Sequence, residues 1–317
     1  MGPVIDDETM PLFLINGFLE AGKTQFLQFT MGQDYFQAEG KTLLICCEEG
    51  DTEYDPELLK KTNTILVNVE SMDEISPERL TELELLHNPE RVLMEWNGMW
   101  NQDELRLPKD WEVYQQITII DGSTFDLYVK NMKPLLGAMV RNSELIICNR
   151  CDDVEDLEGY RRTLLAMNNQ AEIVFEDAEG EISEISEADL PYDLSADVTV
   201  IAPEDFGIWY IDCMDKPDRY RGKVVEFTGM VMKSNKFPKN YFVPGRMAMT
   251  CCADDTSFIG YVCKSPDAKK LVMGQWVMVT AKVGWEYMEV YHEEGPVLYA
   301  QEIKPCDPPE SELVYFS

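Results

Sequence analysis

The sequence predicts an α/β chain: a mostly parallel sheet with helices on both faces, followed by a small all-β domain. Three observations carry this. As far as Phe175, short apolar runs alternate with stretches of helical spacing, the pattern of a doubly wound parallel sheet. No Lys or Arg then occurs between Arg162 and Lys216, and residues 176–197 are dense in acids. From Tyr220 the pattern changes again, to strands separated by Gly, Pro, Asn and Asp turns. We therefore expect an α/β domain over residues 1–182, an acidic connector over 183–215, a β-barrel over 216–308 and a tail over 309–317.

In chain order, Leu12 to Ile15 is a strand, and a helix follows the octet Gly17-Phe18-Leu19-Glu20-Ala21-Gly22-Lys23-Thr24. That octet is G-x-x-x-x-G-K-[ST] in the context it requires, strand before and helix after. Gly17 and Gly22 let the backbone turn so that successive N–H groups point at phosphate oxygens, and the helix adds its positive dipole end. Lys23 is expected to reach the β/γ-phosphates, the Thr24 hydroxyl to ligate Mg²⁺, and Glu20, Ala21 and Gln25 to border the nucleotide. A P-loop NTPase sheet is therefore expected. Its further strands are Lys41–Cys47, Thr64–Val69, Arg91–Met94, Gln116–Asp121, Leu145–Cys148 and Ala171–Phe175. Helices are expected over Ser76–Leu86, Leu127–Val140 (kinked near Pro134) and Leu157–Met167.

In the C-terminal part, Lys223–Val231, Tyr241–Thr250, Phe258–Cys263, Gln275–Val283, Trp285–Tyr291 and Val297–Ile303 read as strands. So many short strands in so short a span suit a closed barrel of oligonucleotide/oligosaccharide-binding (OB-like) topology. Val198–Ile201 and Phe206–Met214 are packing anchors within the connector.

The net charge is −32, from 59 acidic against 27 basic residues, which argues against nucleic acid or an anionic membrane as partner. A nucleotide is still bindable, because a phosphate loop acts locally through backbone amides and one lysine. The start, MGPVIDDETM, is acidic without an apolar core, and no apolar run reaches membrane-spanning length, so no stable membrane insertion is expected. Nine cysteines, an odd number, point to reduced thiols and a cytoplasmic location.

Two further motifs follow strands. Glu95 to Gly98 is E-x-x-G: the carboxylate can serve Mg²⁺ and the Gly98 N–H can sense the γ-phosphate, against the alternative of a strand-end turn with an incidental acid. Asn149-Arg150-Cys151-Asp152 is N-R-x-D where guanine-specific NTPases carry N-K-x-D; an Asp carboxylate accepts from guanine N1 and N2 hydrogens, and Arg150 offers a stem and a stacking plane. Cys46-Cys47 reads either as buried small hydrophobes beside a switch acid or as a metal cluster, although neighbouring strand residues point to opposite faces. Cys148-x-x-Cys151 has redox-like spacing but overlaps the base-recognition motif, which favours a structural role. Cys251 and Cys252, followed by Asp254 and Asp255 and with Cys263 on the return strand, are candidates for a transition metal such as Zn²⁺, or for core packing. The barrel aromatics Phe227, Tyr261, Trp276, Trp285 and Tyr287 read as core before they read as a base-stacking platform.

GFLEAGKT, EWNG and NRCD, in this order and spacing, resemble the CobW-type GTPases, P-loop proteins of the SIMIBI class that include metal chaperones. The resemblance spans Pro11 to Ile182, with TIIDGSTF and MNNQAEIVFEDAEGEI. It implies GTP and Mg²⁺ binding and slow GTP hydrolysis, with Lys23 and Glu95 in the catalytic roles. Three departures stand out: Glu20 replaces a glycine of the family loop, residues 67–73 read VNVESMD where the family has C-x-C-C, and His87 and His292 are the only histidines. The resemblance thus implies GTP binding and gives metal delivery little support. YRGKVVEFTGMV, Arg246 with MTCCADD, and GQWVMV resemble the domain of YcgQ-type bacterial proteins, which accompany predicted permeases. Three functions stay open: a GTPase read by the barrel, a permease or another protein partner; a nucleotide-binding regulatory or scaffold module without turnover, motivated by Glu20; and a Cys-based metal-binding protein.

Overall fold

The computed structural model describes every residue except 1–8, 49, 183–189, 235, 250–255, 289–292, 315 and 317. The chain divides into two compact units, residues 1–157 with 167–186, and residues 158–166 with 187–317.

In chain order, the first part of the chain carries β1 (Met10–Asn16), α1 (Lys23–Met31), β2 (Thr42–Cys46), α2 (Pro56–Lys61), β3 (Thr64–Asn68), α3 (Pro77–His87), β4 (Arg91–Glu95) and β5 (Trp111–Asp121). There follow α4 (Phe125–Asn131), α5 (Lys133–Val140), β6 (Leu145–Asn149), α6 (Leu157–Met167), β7 (Glu172–Asp177) and β8 (Gly180–Glu181). The sheet of the first unit runs β3-β2-β4-β1-β5-β6-β7-β8. Every pairing from β3 to β7 is parallel, and only β7–β8 is antiparallel. Both faces of such a sheet are covered, which is why β2 reads as an unbroken apolar run and is buried at all five positions.

Alternation along the strands sorts the side chains into two cores. Leu12, Leu14, Leu43, Ile45, Val92 and Met94 pack with Leu80 and Leu83 of α3. Ile15, Leu44, Leu93, Ile117 and Ile119 pack with Leu27 and Met31 of α1. The chain order reverses at β1, with β2 and β3 to one side and β5 to β7 to the other, so loops after these strands gather at a switch point. The helix expected near Pro134 is two helices meeting at Met132, because Pro134 sits in the first turn of α5, where a missing N–H costs no helical bond. Helix α2, absent from the sequence reading, starts at Asp55, whose carboxylate accepts from the Glu57 N–H at 2.9 Å.

The second unit continues with β9 (Thr199–Val200), α7 (Phe206–Asp215), α8 (Pro217–Tyr220), β10 (Val224–Met232), β11 (Tyr241–Met249), β12 (Thr256–Gly260), β13 (Val262–Lys264), β14 (Trp276–Met288), β15 (Glu293–Pro305) and β16 (Leu313–Val314). Pairings run β10–β11–β13–β15–β14 and back to β10, a closed five-strand barrel in which only β13–β15 is parallel. The two strands expected over Gln275–Val283 and Trp285–Tyr291 are one, β14. Gly284 is no turn: a Cβ there would lie 2.6 Å from the Tyr299 ring, so the glycine makes room for an aromatic across the pair. Conversely, the strand expected over Phe258–Cys263 divides at Tyr261.

The stretch expected as connector supplies much of this core. Trp209 of α7 is fully buried, with ring centroids 4.7 Å from Phe227 and 5.4 Å from Tyr261. Helix α6 groups with this unit because Arg161 forks onto Asp215 with two 2.9 Å bonds and Lys216 reaches Glu158 at 2.6 Å. Arg246, 1% exposed, donates to the carbonyls of Pro203 at 3.0 Å, Glu312 at 3.4 Å and Ser311, tying both flanking segments to β11. No helix among the described residues is long and apolar enough to cross a membrane.

Candidate nucleotide site

β1 ends in Asn16, whose side-chain oxygen accepts from the Gly17 N–H at 2.9 Å and fixes the entry to the loop. Gly17 has φ 143° and Gly22 φ 102°, left-handed backbone that only glycine adopts cheaply. Gly98 lies directly under the loop: a Cβ there would sit 2.2 Å from the Gly17 carbonyl oxygen. The E-x-x-G turn and the phosphate loop are therefore packed backbone to backbone.

Thr24, in the first turn of α1, donates to Glu95 Oε1 at 2.8 Å, across from the end of β4. Glu95 is 3% exposed and also accepts on Oε2 from the Tyr54 hydroxyl, with Cys46 Sγ at 3.8 Å. Lys23, 2% exposed, donates to the carbonyls of Gly17 at 3.0 Å and Phe18 at 2.8 Å and is paired with Glu48. Burial raises the Glu48 pKa, with the Lys23 cation pulling the other way. The cleft bounded by Gly22, Lys23, Thr24, Glu48, Thr52 and Glu95, about 20 Å³, adjoins a larger one of about 460 Å³ that shares Thr24, Glu48 and Thr52 and is also lined by Tyr54 and Asn68. Lys23 is thus held by an internal carboxylate.

Glu20 has φ 60°, the conformation that explains a glycine at this loop position, and its carboxylate turns out to the Asp51 N–H at 2.9 Å. Asn149, at the end of β6, donates to the Ala21 carbonyl at 2.8 Å, while its own buried Oδ1 has no partner. Arg150, with φ 54°, donates to the Glu20 carbonyl at 2.8 Å and pairs with Asp121. Asp152 is exposed and accepts from the Ala178 N–H at 2.9 Å. Gln25 is exposed on α1 and, with Asn149 and Glu176, borders a cavity of about 570 Å³ whose other walls include Phe13, Phe26 and Ile117.

Residues 11–175 match the nucleotide-binding domain of CobW, HypB and UreG. The chain belongs to the CobW/HypB/UreG family. Residues 179–316 match the DUF1980 C-terminal domain. Among solved structures, the Zn(II)-bound YjiA GTPase from E. coli is 18% identical, with 55% of this chain and 59% of that one covered at a TM-score of 0.42. The chain therefore spans 59% of that GTPase's length. Hydrogenase maturation factor HypB from Archaeoglobus fulgidus is 16% identical, covering 54% and 83% at a TM-score of 0.40. HypB from Helicobacter pylori in complex with nickel is 14% identical, covering 54% and 80% at 0.37. Among curated proteins nothing matches.

The CobW/HypB/UreG domain here thus brings together Gly17, Lys23, Thr24, Glu95 and Gly98 on one side, and Ala21, Gly22, Asn149 and Arg150 on the other. Tyr54, Asn16 and Asp121 escaped the sequence reading as site residues, since single polar residues outside any motif carry no spacing signal. Cys46 and Cys47 face opposite cores, as adjacent strand residues must. Burial pushes the Cys46 and Cys151 thiols up to about 11 and the Cys148 thiol well above its usual value, so none is a ready thiolate. Cys263 is buried and pushed up to about 12. Cys251 and Cys252 lie outside the described residues. Among the described residues no group of three or more His, Cys, Asp and Glu is placed to hold a metal ion. In the barrel Phe227 and Tyr261 are buried, Trp276 and Trp285 half-buried, and Tyr287 is 55% exposed.

Proposed function

We propose that the first unit binds GTP with Mg²⁺ and hydrolyses it slowly, and that nucleotide binding displaces Glu48 from Lys23. The observation that carries this reading is the convergence of Lys23, Thr24 and Glu95, with Thr24 Oγ1 2.8 Å from Glu95 Oε1. A hydroxyl and a carboxylate are hard oxygen donors and fit Mg²⁺. Thr24 would ligate the ion and Glu95 would hold it or its water shell; when bound, it neutralises charge on the β- and γ-phosphates. Lys23 would leave the Gly17 and Phe18 carbonyls and Glu48 for phosphate oxygens, and the loop amides would share the developing charge. The exposed Asp152 carboxylate can accept from the N1 and N2 hydrogens of guanine, which adenine cannot match, and this supports guanine as the base.

The Lys23–Glu48 pair favours a second reading, a regulatory module that binds nucleotide and releases it unhydrolysed. A single-turnover assay with Mg²⁺-GTP separates the two. Phosphate release above that of Lys23→Ala supports the GTPase; release equal to that variant leaves only the binder. The Zn(II)-bound YjiA and the nickel complex of HypB motivate a link to metal homeostasis, and metal-induced changes in that same assay are its test.

A further inference from the structure

The acidity of this protein is unevenly distributed. Residues 216–308 hold 13 of the 27 Lys and Arg residues but only 11 of the 59 Asp and Glu residues. The barrel region is net positive in a chain of net charge −32. Its lysines are gathered further by the topology. The connection from β10 to β11 carries Lys233, Lys236 and Lys239, and the connection from β13 to β14 carries Lys269 and Lys270. These connections meet at one end of the barrel: Lys233 Nζ donates to the Leu271 carbonyl, Gly274 N–H to Val231 at 2.8 Å, and Ser265 N–H to Asn240 at 2.9 Å. Lys236, Lys239, Lys269 and Lys270 are exposed. The acids on the same segments are Asp267, paired with Lys270, and Asp307 just beyond the strand edge at Trp276.

At the tip of this basic end stand Val272 and Met273, 66% and 61% exposed. The turn that presents them is pinned. Gln275 N–H bonds the Val272 carbonyl at 3.1 Å, the Gln275 side-chain oxygen accepts from the Val272 N–H at 3.1 Å, and Gly274 takes φ 81°. Two neighbouring exposed aliphatics on a pinned turn, within a pair of lysine-bearing connections bonded to each other, suit entry into a lipid interface rather than capture by a base or a groove. Among the described residues of these segments no aromatic is fully exposed to stack a nucleobase: Phe237 and Trp276 are half-buried.

We propose that this end of the barrel docks on an anionic bilayer surface, with Val272 and Met273 entering the headgroup layer and Lys236, Lys239, Lys269 and Lys270 pairing with lipid phosphates. The overall negative charge does not forbid this, because charges beyond a screening length of about 8 Å at physiological salt contribute little. Each lysine near such a surface strengthens binding about fivefold.

The test is co-sedimentation of the full chain with vesicles of phosphatidylcholine, with and without about 30 mol % phosphatidylserine, at low and physiological salt. The expected result is retention on anionic vesicles only, falling as salt rises. Lys236→Glu/Lys239→Glu/Lys269→Glu/Lys270→Glu should lower the partition coefficient at least about 600-fold, and Val272→Ser/Met273→Ser about tenfold. All six side chains are exposed, so circular dichroism melting should be unchanged. Should the fourfold variant misfold, the double variant and the salt titration still decide. Equal retention on neutral vesicles, retention indifferent to salt and to the double variant, or binding of a labelled single-stranded oligonucleotide in place of vesicles overturns the proposal.

Discussion

The two units store their information differently. In the first, Gly17 to Thr24, Glu95 to Gly98 and Asn149 to Asp152 are contiguous motifs, each following a parallel strand, and the sheet order delivers all three to one edge. In the barrel the notable features are assembled from distant positions: Arg246 meets Pro203 and Glu312, and Lys233 meets Leu271. The lesson is that a site built on backbone cradles leaves a linear signature, whereas one built on side chains from several strands does not.

The largest effect expected to sharpen this contrast is in the first unit. Lys23→Ala should weaken GTP binding by at least about 100-fold. Because it leaves Glu48 buried without a partner, it should also cost about 3 kcal/mol of stability. Scanning calorimetry should place that loss in one transition and leave the barrel's unmoved; a shift of both would break the comparison. Arg246→Leu is the reverse experiment. Losing charged bonds to three carbonyls should cost the barrel about 2–4 kcal/mol, with GTP affinity unchanged within about twofold by titration. A smaller effect is expected at the base: Asp152→Ala should reduce the preference for GTP over ATP about tenfold in competition titrations.

The smallest effect is a pH dependence. Burial raises the Glu48 pKa from 4.5, so its carboxylate gains a proton as pH falls toward that raised value and releases Lys23. GTP affinity of the wild type should therefore rise as pH falls, by a few-fold, toward that of Glu48→Gln. Parallel pH profiles for the two proteins would contradict a role for this carboxylate.

Much of the first unit was legible because its strands carry short apolar runs and three of the loops that follow them are motifs. What was missed there follows from chemistry without periodicity: Tyr54 on Glu95 and Asp121 on Arg150 are single residues brought close only by the sheet. In the barrel, Gly284 was misread as a break between strands because a glycine can make room for a ring as well as make a turn. Within the acidic stretch 183–215 the anchors Phe206–Met214 were legible as an apolar run: burying Phe206 and Trp209 is worth several kcal/mol, about 25 cal/mol per Å², while the carboxylates can stay in water.

Calorimetric titration of Mg²⁺-GTP and Mg²⁺-ATP into the wild type, Lys23→Ala and Glu48→Gln tests the central claim most directly. The prediction is GTP binding by the wild type, none by Lys23→Ala, and about tenfold tighter binding by Glu48→Gln once the competing carboxylate is neutral. Absence of GTP binding by both the wild type and Glu48→Gln, or equal binding of ATP, would contradict it.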